Sequence, residues 1–333
     1  MITRLVRNAL RQGTRPSGHA RRKQRGAALL MAMIIVTLVA TLAASMVWQQ
    51  WRAVRVEGAE RARSQSAWIL AGALDWARLI LKEDARNPQM DHLGEPWAVP
   101  LAEARLSTFL AADQSNTDDA PDAFLSGSIT DAQARYNLMN LVKTDGTADA
   151  DQVAVLVRLC ETIHVSSDVA SRIATALAAA TAANKAQATE AAAPLIPRTV
   201  AQLAWFDVAP DAIRALAPYV VLLESSAPVA LNANTASREV LAAVFGIDLS
   251  TAERLVQLRQ RTPFNSIDAI KKELTQVDLS KANLDVKSSF FEIRGRLRLE
   301  SHVLEQISLV QRRRSDVVVL RVERVSSLDQ PAS

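Results

Sequence analysis

From Gly26 to Trp51 the chain carries no charged residue, and every charged residue ahead of that run is basic. At about 1.5 Å per helical residue, these 26 residues reach roughly 39 Å, more than the roughly 30 Å hydrocarbon core of a bilayer. The run holds no proline, and its one glycine, Gly26, is its first residue. It predicts a membrane-spanning helix over residues 27–51 rather than the buried helix of a soluble core.

Charge sets the direction of that span. Residues 1–26 contain Arg4, Arg7, Arg11, Arg15, Arg21, Arg22, Lys23 and Arg25, and no acid. The whole chain has 39 Lys and Arg against 35 Asp and Glu, so without these eight the balance is 31 against 35, a net of −4. The basic character belongs to the leader, and the remainder is mildly acidic. A nucleic-acid-binding body would carry its basic charge on the folded domain. A basic flank instead stays on the cytoplasmic side of a membrane. Everything after Trp51 is then expected across it, which in a bacterial envelope is the periplasm.

The roughly 280 residues after the span suffice for one or two cores. The one cysteine, Cys160, forms no internal disulfide, and its apolar setting VLVRLCETI predicts a buried structural thiol.

Helical periodicity continues past the span. Trp68, Ile69, Gly72, Ala73, Trp76, Leu79 and Ile80 recur at three- and four-residue spacing, with Arg61, Arg63, Asp75, Arg78 and Lys82 between them. Residues 27–86 read as one long helix, lipid-embedded first and amphipathic afterwards, or as two helices with a break near Gly58. Asn87-Pro88 stops the pattern. The stretch DQSNTDDAPD (Asp113–Asp122) reads as a solvated acidic loop, since it lacks the alternating acids and closing glutamate of an EF-hand loop. Phe124–Leu141 reads as one or two short strands and a helix start, and a helical region follows to about Val221. Within it lies ATALAAATAANKAQATEAAAP, ended by Pro194 and Pro197. Alanine favours helix but buries little area, so this patch reads as a weakly packed helix or a linker.

Leu231–Phe264 carries the clearest local signals. Asn234 or Thr235 is placed to cap a first helix, with Val240, Leu241, Val244 and Phe245 on one face and Gly246 at its end. Ser250 and Glu253 have the spacing of a capping box for a second helix, with Ala252, Leu255 and Val256 inward and Thr262-Pro263 closing it. A third helix begins near Ser266, with Ile267 and Ile270. Glu161–Leu177 echoes FGIDLSTAERLVQL once a small gap is allowed, with Ile163, Arg172 and Ile173 matching Ile247, Arg254 and Leu255.

The C-terminal part reads as half-buried antiparallel strands over Phe290–Ser301, Val303–Arg314 and Ser315–Val325, with Gly295 as a candidate bulge. Arg312, Arg313 and Arg314 read as a solvated turn, and residues 326–333 as a frayed tail. Asn137, Asn140, Asn232 and Asn234 read as turn and cap residues.

The N-terminal pattern resembles the class III leader of type IV pilin-like proteins: a short basic segment, a glycine, and an apolar helix that begins at once. The resemblance implies a prepilin-peptidase cut between Gly26 and Ala27, with methylation of the new N-terminal Ala27. An ordinary secretory signal is cut after its apolar region instead. Two positions depart from the pilin pattern, Ala27 for the usual phenylalanine and Met31 for the usual fifth-position glutamate. In such filaments that carboxylate is held to neutralise a neighbouring subunit's amino terminus, because a charge in apolar surroundings is costly unless paired. Met31 therefore suits a subunit with nothing above it, at a filament tip; the other reading is that it merely extends a signal anchor.

The order of RGAALLMAMIIVTLVA, ITDAQARYNLMNL, LNANTASREVLAAVFG and SSFFEIRGRLRL resembles the K-type minor pseudopilins of type II secretion systems over nearly the whole chain. The implied fold is α+β: a pilin-like long N-terminal helix packed on an antiparallel sheet, with a large inserted all-α domain of SAM-like or helix-hairpin-helix-like kind. The implied divisions are a leader (1–26), a transmembrane helix (27–51), a periplasmic helix with the first part of the pilin-like domain (52–130), an inserted helical domain (131–285) and closing strands with a tail (286–333). The implied role is structural, at the tip of a short periplasmic filament, capping it and nucleating its assembly for export across the outer membrane. The implied partners are the I-type and J-type minor pseudopilins, the major G-type pseudopilin, the prepilin peptidase and the inner-membrane secretion platform. Some members bind calcium through an acidic stretch resembling DWxDxD. The corresponding alanine-rich stretch here has no aspartate, and Glu190 alone makes no site, so no metal or other cofactor is expected.

Two rival readings use the same residues. A membrane-anchored DNA-uptake receptor would use the hairpin after NANTAS to meet phosphate through a glycine-flanked turn. Here Gly246 is present, but Asp248 stands where a second glycine is expected, and its carboxylate repels phosphate. A membrane-anchored periplasmic enzyme would need a catalytic constellation. His19, His92, His164 and His302 show no metal-ligand spacing, and the chain has no G-x-S-x-G and no Gly-rich phosphate loop.

Overall fold

The computed structural model describes residues 20–86, 89–106, 123–185, 194–279, 282–299, 302–314 and 316–328. Most of the leader, Asn87-Pro88, the acidic stretch Asp113–Asp122, Glu190, Ser315 and residues 329–333 lie outside them. Two compact units divide the chain at Gln65 and Ser66.

Helix α1 runs over Ala20–Asp84 as one element of 65 residues. Gly58 does not break it, because the i→i−4 ladder needs no side chain there. In the first unit the apolar side chains stand exposed, Met31 at 69% and Val36 at 66%. Among the described residues this is the one helix long and apolar enough to cross a membrane, and none of its apolar window is buried, unlike a soluble core helix. Thr37, Thr41 and Ser45 return their hydroxyls to the carbonyls of Ile34, Leu38 and Leu42 at 2.9, 2.9 and 2.7 Å, which satisfies these polar groups within the helix.

The second unit begins with the rest of α1, followed by strands β1 (Leu101–Arg105) and β2 (Ala123–Asp131). A helical body comes next: β3 (Tyr136–Asn137), α2 (Ala150–Thr162), α3 (Asp168–Lys185), α4 (Pro210–Leu216), β4 (Val220–Val221), β5 (Leu231–Asn232), α5 (Arg238–Phe245), α6 (Leu249–Arg261), α7 (Ile267–Glu273) and β6 (Leu284–Asp285). Strands β7 (Phe290–Leu299), β8 (His302–Arg313) and β9 (Asp316–Leu328) complete it. The main sheet is antiparallel, in the order β1-β2-β7-β8-β9. Strand β2 ends at Asp131, which pairs with Phe291 of β7, so residues 132–289 leave and return between two neighbouring strands.

Helix α1 packs on this sheet through Leu70, Ala77 and Leu81, a stripe at spacings of seven and four. Leu81 joins Trp97, Ile129, Phe291, Ile293, Val310 and Val317, while Leu70 joins Leu125 and Leu297. Burial of each such leucine stabilises by about 1.5–3 kcal/mol relative to exposure. The predicted apolar face is therefore right in part: Ile69, Ala73 and Ile80 pack against these clusters, but Trp68, Trp76 and Leu79 are 77%, 54% and 59% exposed. Apolar residues occur nearly all round this segment, and the largest of them mark the outward side.

Gly295 is not a bulge. It pairs in unbroken register with Gly127 on one side and Gln306 on the other, and the space its side chain would fill holds Leu70. Strand β1 is an addition that its short sequence, LAEAR, did not announce. Strand β9 continues through Leu328, so Ser326–Leu328 pair with β8 instead of fraying.

The helical body has its own core, with Leu138, Leu141, Leu156, Leu159, Ile173, Leu177, Leu203 and Leu216 fully buried. Helices α2–α3 and α5–α6 form two hairpins, and α2 packs against α5. Each hairpin turns through a left-handed residue, His164 (φ 59°) and Gly246 (φ 66°). The alanine-rich patch is packed helix as far as Lys185, with Ala174, Leu177 and Ala180 buried. Three-residue and four-residue 3₁₀ turns, Ala132–Ala134 and Leu138–Leu141, replace the predicted helix start.

The caps differ from the sequence reading by a few residues. Ser237, not Asn234 or Thr235, caps α5 by accepting from the Val240 amide. Asp248, not Ser250, caps α6 by accepting from the Thr251 amide. Ser266 caps α7 and Gly246 ends α5, as the sequence reads.

Candidate functional site

Gly26, Ala27 and Met31 all lie on the exposed part of α1. Met31 is four residues on from Ala27, so the two share one face of the helix. A Cβ on Gly26 would meet nothing within 4 Å.

A second set of residues, which the sequence did not single out, gathers where the helical body joins the sheet. Its centre is Arg312, whose side chain is 7% exposed rather than solvated in a turn. Its Nη1 lies 2.6 Å from Asp84 Oδ2 at the end of α1, and its Nη2 lies 2.6 Å from Asp91 Oδ1. Nη2 also donates to the Ser288 carbonyl at 2.7 Å, and the guanidinium lies 4.9 Å from the centre of the Phe291 ring. Asp84, Asp91 and Glu95 place carboxylate oxygens within 4.8 Å of one another. Arg312 supplies the counter-charge of Asp84 and Asp91, and Glu95 accepts from Trp97 Nε1 at 2.7 Å. Burial pushes the Asp84 carboxyl up to about 6; Glu95 and Asp91 add to this, and Arg312 opposes it.

Beside this lies a carboxylate whose hydrogen-bond partners are all uncharged. Asp131 Oδ2 accepts from Ser288 Oγ at 2.5 Å, Thr235 Oγ1 at 2.6 Å and Asn232 Nδ2 at 2.9 Å, and Oδ1 accepts from the Gln133 amide at 2.7 Å. Burial pushes Asp131 up to about 6, with the donors from Ser288, Thr235, Gln133 and Asn232 pulling the other way. Asn232 Nδ2 also reaches the Asp91 carbonyl at 3.0 Å, which joins the two networks. Gln133 Nε2 donates to the Ala230 carbonyl, and its Oε1 accepts from the Ser289 amide. These residues fix the exit and return of residues 132–289. The arrangement is a polar clamp whose carboxylates are held by donors from within the protein.

The four asparagines do more than cap turns. Asn137 caps the 3₁₀ turn at Leu138 and also clasps the Leu223 backbone through both of its side-chain atoms. Asn140 does the same to Val229, and Asn234 to Phe264. In the hairpin turn, Asp248 is bonded by the Ser250 hydroxyl, the Thr251 amide and the Thr251 hydroxyl, which hold its carboxyl well below the usual carboxylate range. That turn presents a fixed negative charge.

A long helix with an exposed apolar run, an antiparallel sheet packed against residues 66–84 of that helix and a helical body let out between two strands define an α+β pilin-like protein. Two segments match models of type II secretion system protein K, residues 134–225 and 231–289. The protein K of Pseudomonas aeruginosa is 29% identical over 316 residues, covering 88% of this chain and 90% of that protein. That of Pectobacterium carotovorum subsp. carotovorum is 28% identical over 315 residues, covering 87% and 93%. A chain in the crystal structure of the GspK–GspI–GspJ complex from enterotoxigenic Escherichia coli superposes with a TM-score of 0.63 at 20% identity, over 81% of this chain and 99% of that one. The chain belongs to the type II secretion system protein K family, and it is a minor pseudopilin of that system.

Proposed function

We propose that this minor pseudopilin caps the tip of the secretion filament and nucleates its assembly. The observation that carries this reading is a helix start without a carboxylate, at Met31, in a chain whose residues 132–289 stand as a body beside the sheet. A subunit above would find no acid for its amino terminus, and a head of this size blocks further stacking.

Prepilin peptidase cuts between Gly26 and Ala27, and Ala27 is methylated. Residues 27–51 hold the subunit in the inner membrane with its body in the periplasm, which the eight basic residues of the leader support. The I-type and J-type minor pseudopilins are its tip partners, as the composition of the enterotoxigenic Escherichia coli complex supports. The major G-type pseudopilin forms the shaft below, and the inner-membrane platform drives assembly. The outward face of α1, with Trp68, Gly72 and Leu79 exposed, is the surface offered to a neighbouring helix. The role is structural rather than catalytic, without metal or other cofactor and without nucleic acid; the carboxylate of Asp248 in the hairpin turn supports the last point.

Intact mass of the protein extracted from membranes tests the processing. The expected mass lacks residues 1–26 and carries one added methyl group. A full-length mass from secretion-competent cells rejects it. Met31→Glu tests the tip role: the expected outcome is loss of preferential placement at the filament end, and unchanged placement rejects the part assigned to Met31.

A further inference from the structure

We propose that Trp48, Trp51 and Arg55 form an interfacial anchor that binds the phospholipid headgroup boundary on the non-cytoplasmic side and sets the depth of the membrane helix. The inference rests on the reading of residues 27–51 as the span. The two indole rings lie 5.6 Å apart, and the Arg55 guanidinium sits 4.7 Å above the Trp51 ring. Spacings of three and four residues put all three on one stripe of α1. Trp48 is 63% exposed and Trp51 52% exposed, so their rings face the surroundings of the helix, not a protein core.

The arithmetic of the helix places this cluster. Ala27 to Val47 is 21 residues, about 31 Å of helix, close to the roughly 30 Å of hydrocarbon. The charge-free run exceeds that thickness, and its excess is the segment Trp48-Gln49-Gln50-Trp51. Indole rings favour the headgroup level, where an apolar body and a polar N–H are both accommodated. Arg55, held over Trp51, carries its charge outward from the acyl chains toward lipid phosphates. With Trp48 fixed at one boundary, Ala27 falls at the other, and the Gly26–Ala27 bond stands at the cytoplasmic surface where a peptidase reaches it.

The test uses the full chain in vesicles of phosphatidylethanolamine and phosphatidylglycerol, with acyl chains brominated either near the glycerol or near the methyl end. Carbonate washing first establishes whether the chain is inserted. The quenching lost in Trp48→Leu/Trp51→Leu, against the background of the other tryptophans, is the signal from the pair. It is expected to be about threefold stronger for shallow than for deep bromines. Equal or deeper quenching overturns the anchor, and carbonate extraction overturns both anchor and span.

The second readout is processing in cells. The leucine pair lengthens the apolar run and lets the helix slide, so precursor is expected to accumulate about threefold over wild type, while Trp48→Tyr/Trp51→Tyr restores processing because tyrosine also favours the interface. Wild-type processing of the leucine pair overturns the depth-setting role. Gly26→Ala serves as the control for the cut site. Normal cleavage of that variant rejects the assigned bond and leaves the quenching result standing by itself.

Discussion

Leu70 of α1 fills the space that a side chain on Gly295 would need: a Cβ built there lies 3.1 Å from Leu70 Cδ2. The glycine opposite it in β2, Gly127, is crowded differently, by backbone. A Cβ at Gly127 would lie 2.9 Å from the Arg294 carbonyl oxygen. The two neighbours differ in how far they can yield, and this orders the cost of alanine at the two sites. Gly295→Ala is expected to cost about 1 kcal/mol and Gly127→Ala about 2–3 kcal/mol. Urea midpoints of the full-length variants in detergent measure both, and a smaller loss for Gly127→Ala contradicts the packing described.

Arg312→Leu leaves Asp84 and Asp91 facing each other without their cation. The expected loss is about 3–5 kcal/mol, the range for breaking a buried ion pair from one side. Arg312→Lys keeps the charge but not the fork that spans two carboxylates, so its melting temperature should fall between those of wild type and Arg312→Leu. A wild-type melting temperature for Arg312→Leu would show the triad to be dispensable.

Asp131 gives the stability a pH dependence of definite sign. Burial lifts its folded-state value to about 6, above that of the unfolded chain, so the native state holds the proton more tightly. Its contribution therefore rises as pH falls from about 6 to about 4 and is constant above that window, with a span of about 3 kcal/mol. Asp84 acts in the same direction. Asp131→Asn should be less stable at pH 5, because an amide nitrogen in place of either oxygen faces a donor, the Gln133 amide at Oδ1 or Asn232 Nδ2 at Oδ2, and should show a flatter curve over that window. Parallel curves for the two proteins exclude Asp131 as the source.

Cys160 is fully buried, and burial pushes its thiol up to about 11. A thiolate-selective disulfide reagent should modify it only as the helical body unfolds, at the same denaturant concentration as the loss of helix signal. Labelling in the absence of denaturant would show that α2 opens locally. Cys160→Ser should cost about 1–3 kcal/mol by placing a hydroxyl in that core.

The parts of the fold legible in the sequence are those fixed by local chemistry. The apolar run, the three closing strands, the end of α5 at Gly246 and the start of α7 at Ser266 follow from residues near one another in the chain. The remainder depends on distant partners. Arg312 lies in a run of three arginines and looks solvated until Asp84 and Asp91, more than 200 residues earlier, are brought beside it. Asn234 and Thr235 have cap chemistry, but the first spends its amide on Phe264 and the second its hydroxyl on Asp131, leaving Ser237 to cap α5. Ser250 yields its cap to Asp248 because the carboxylate accepts from both Ser250 and Thr251. The tryptophans at 68 and 76 mislead for a related reason, since hydrophobicity alone does not say which side of a helix the sheet will choose.

The facing of Asp131 and Phe291 across β2 and β7 has a broader consequence. The five-stranded frame treats residues 132–289 as though they were an ordinary hairpin loop, admitted and dismissed at one doorway. An appendage hung from such a doorway can be enlarged, trimmed or resurfaced without re-threading a single strand. The frame and the body it carries are thus free to change independently of one another.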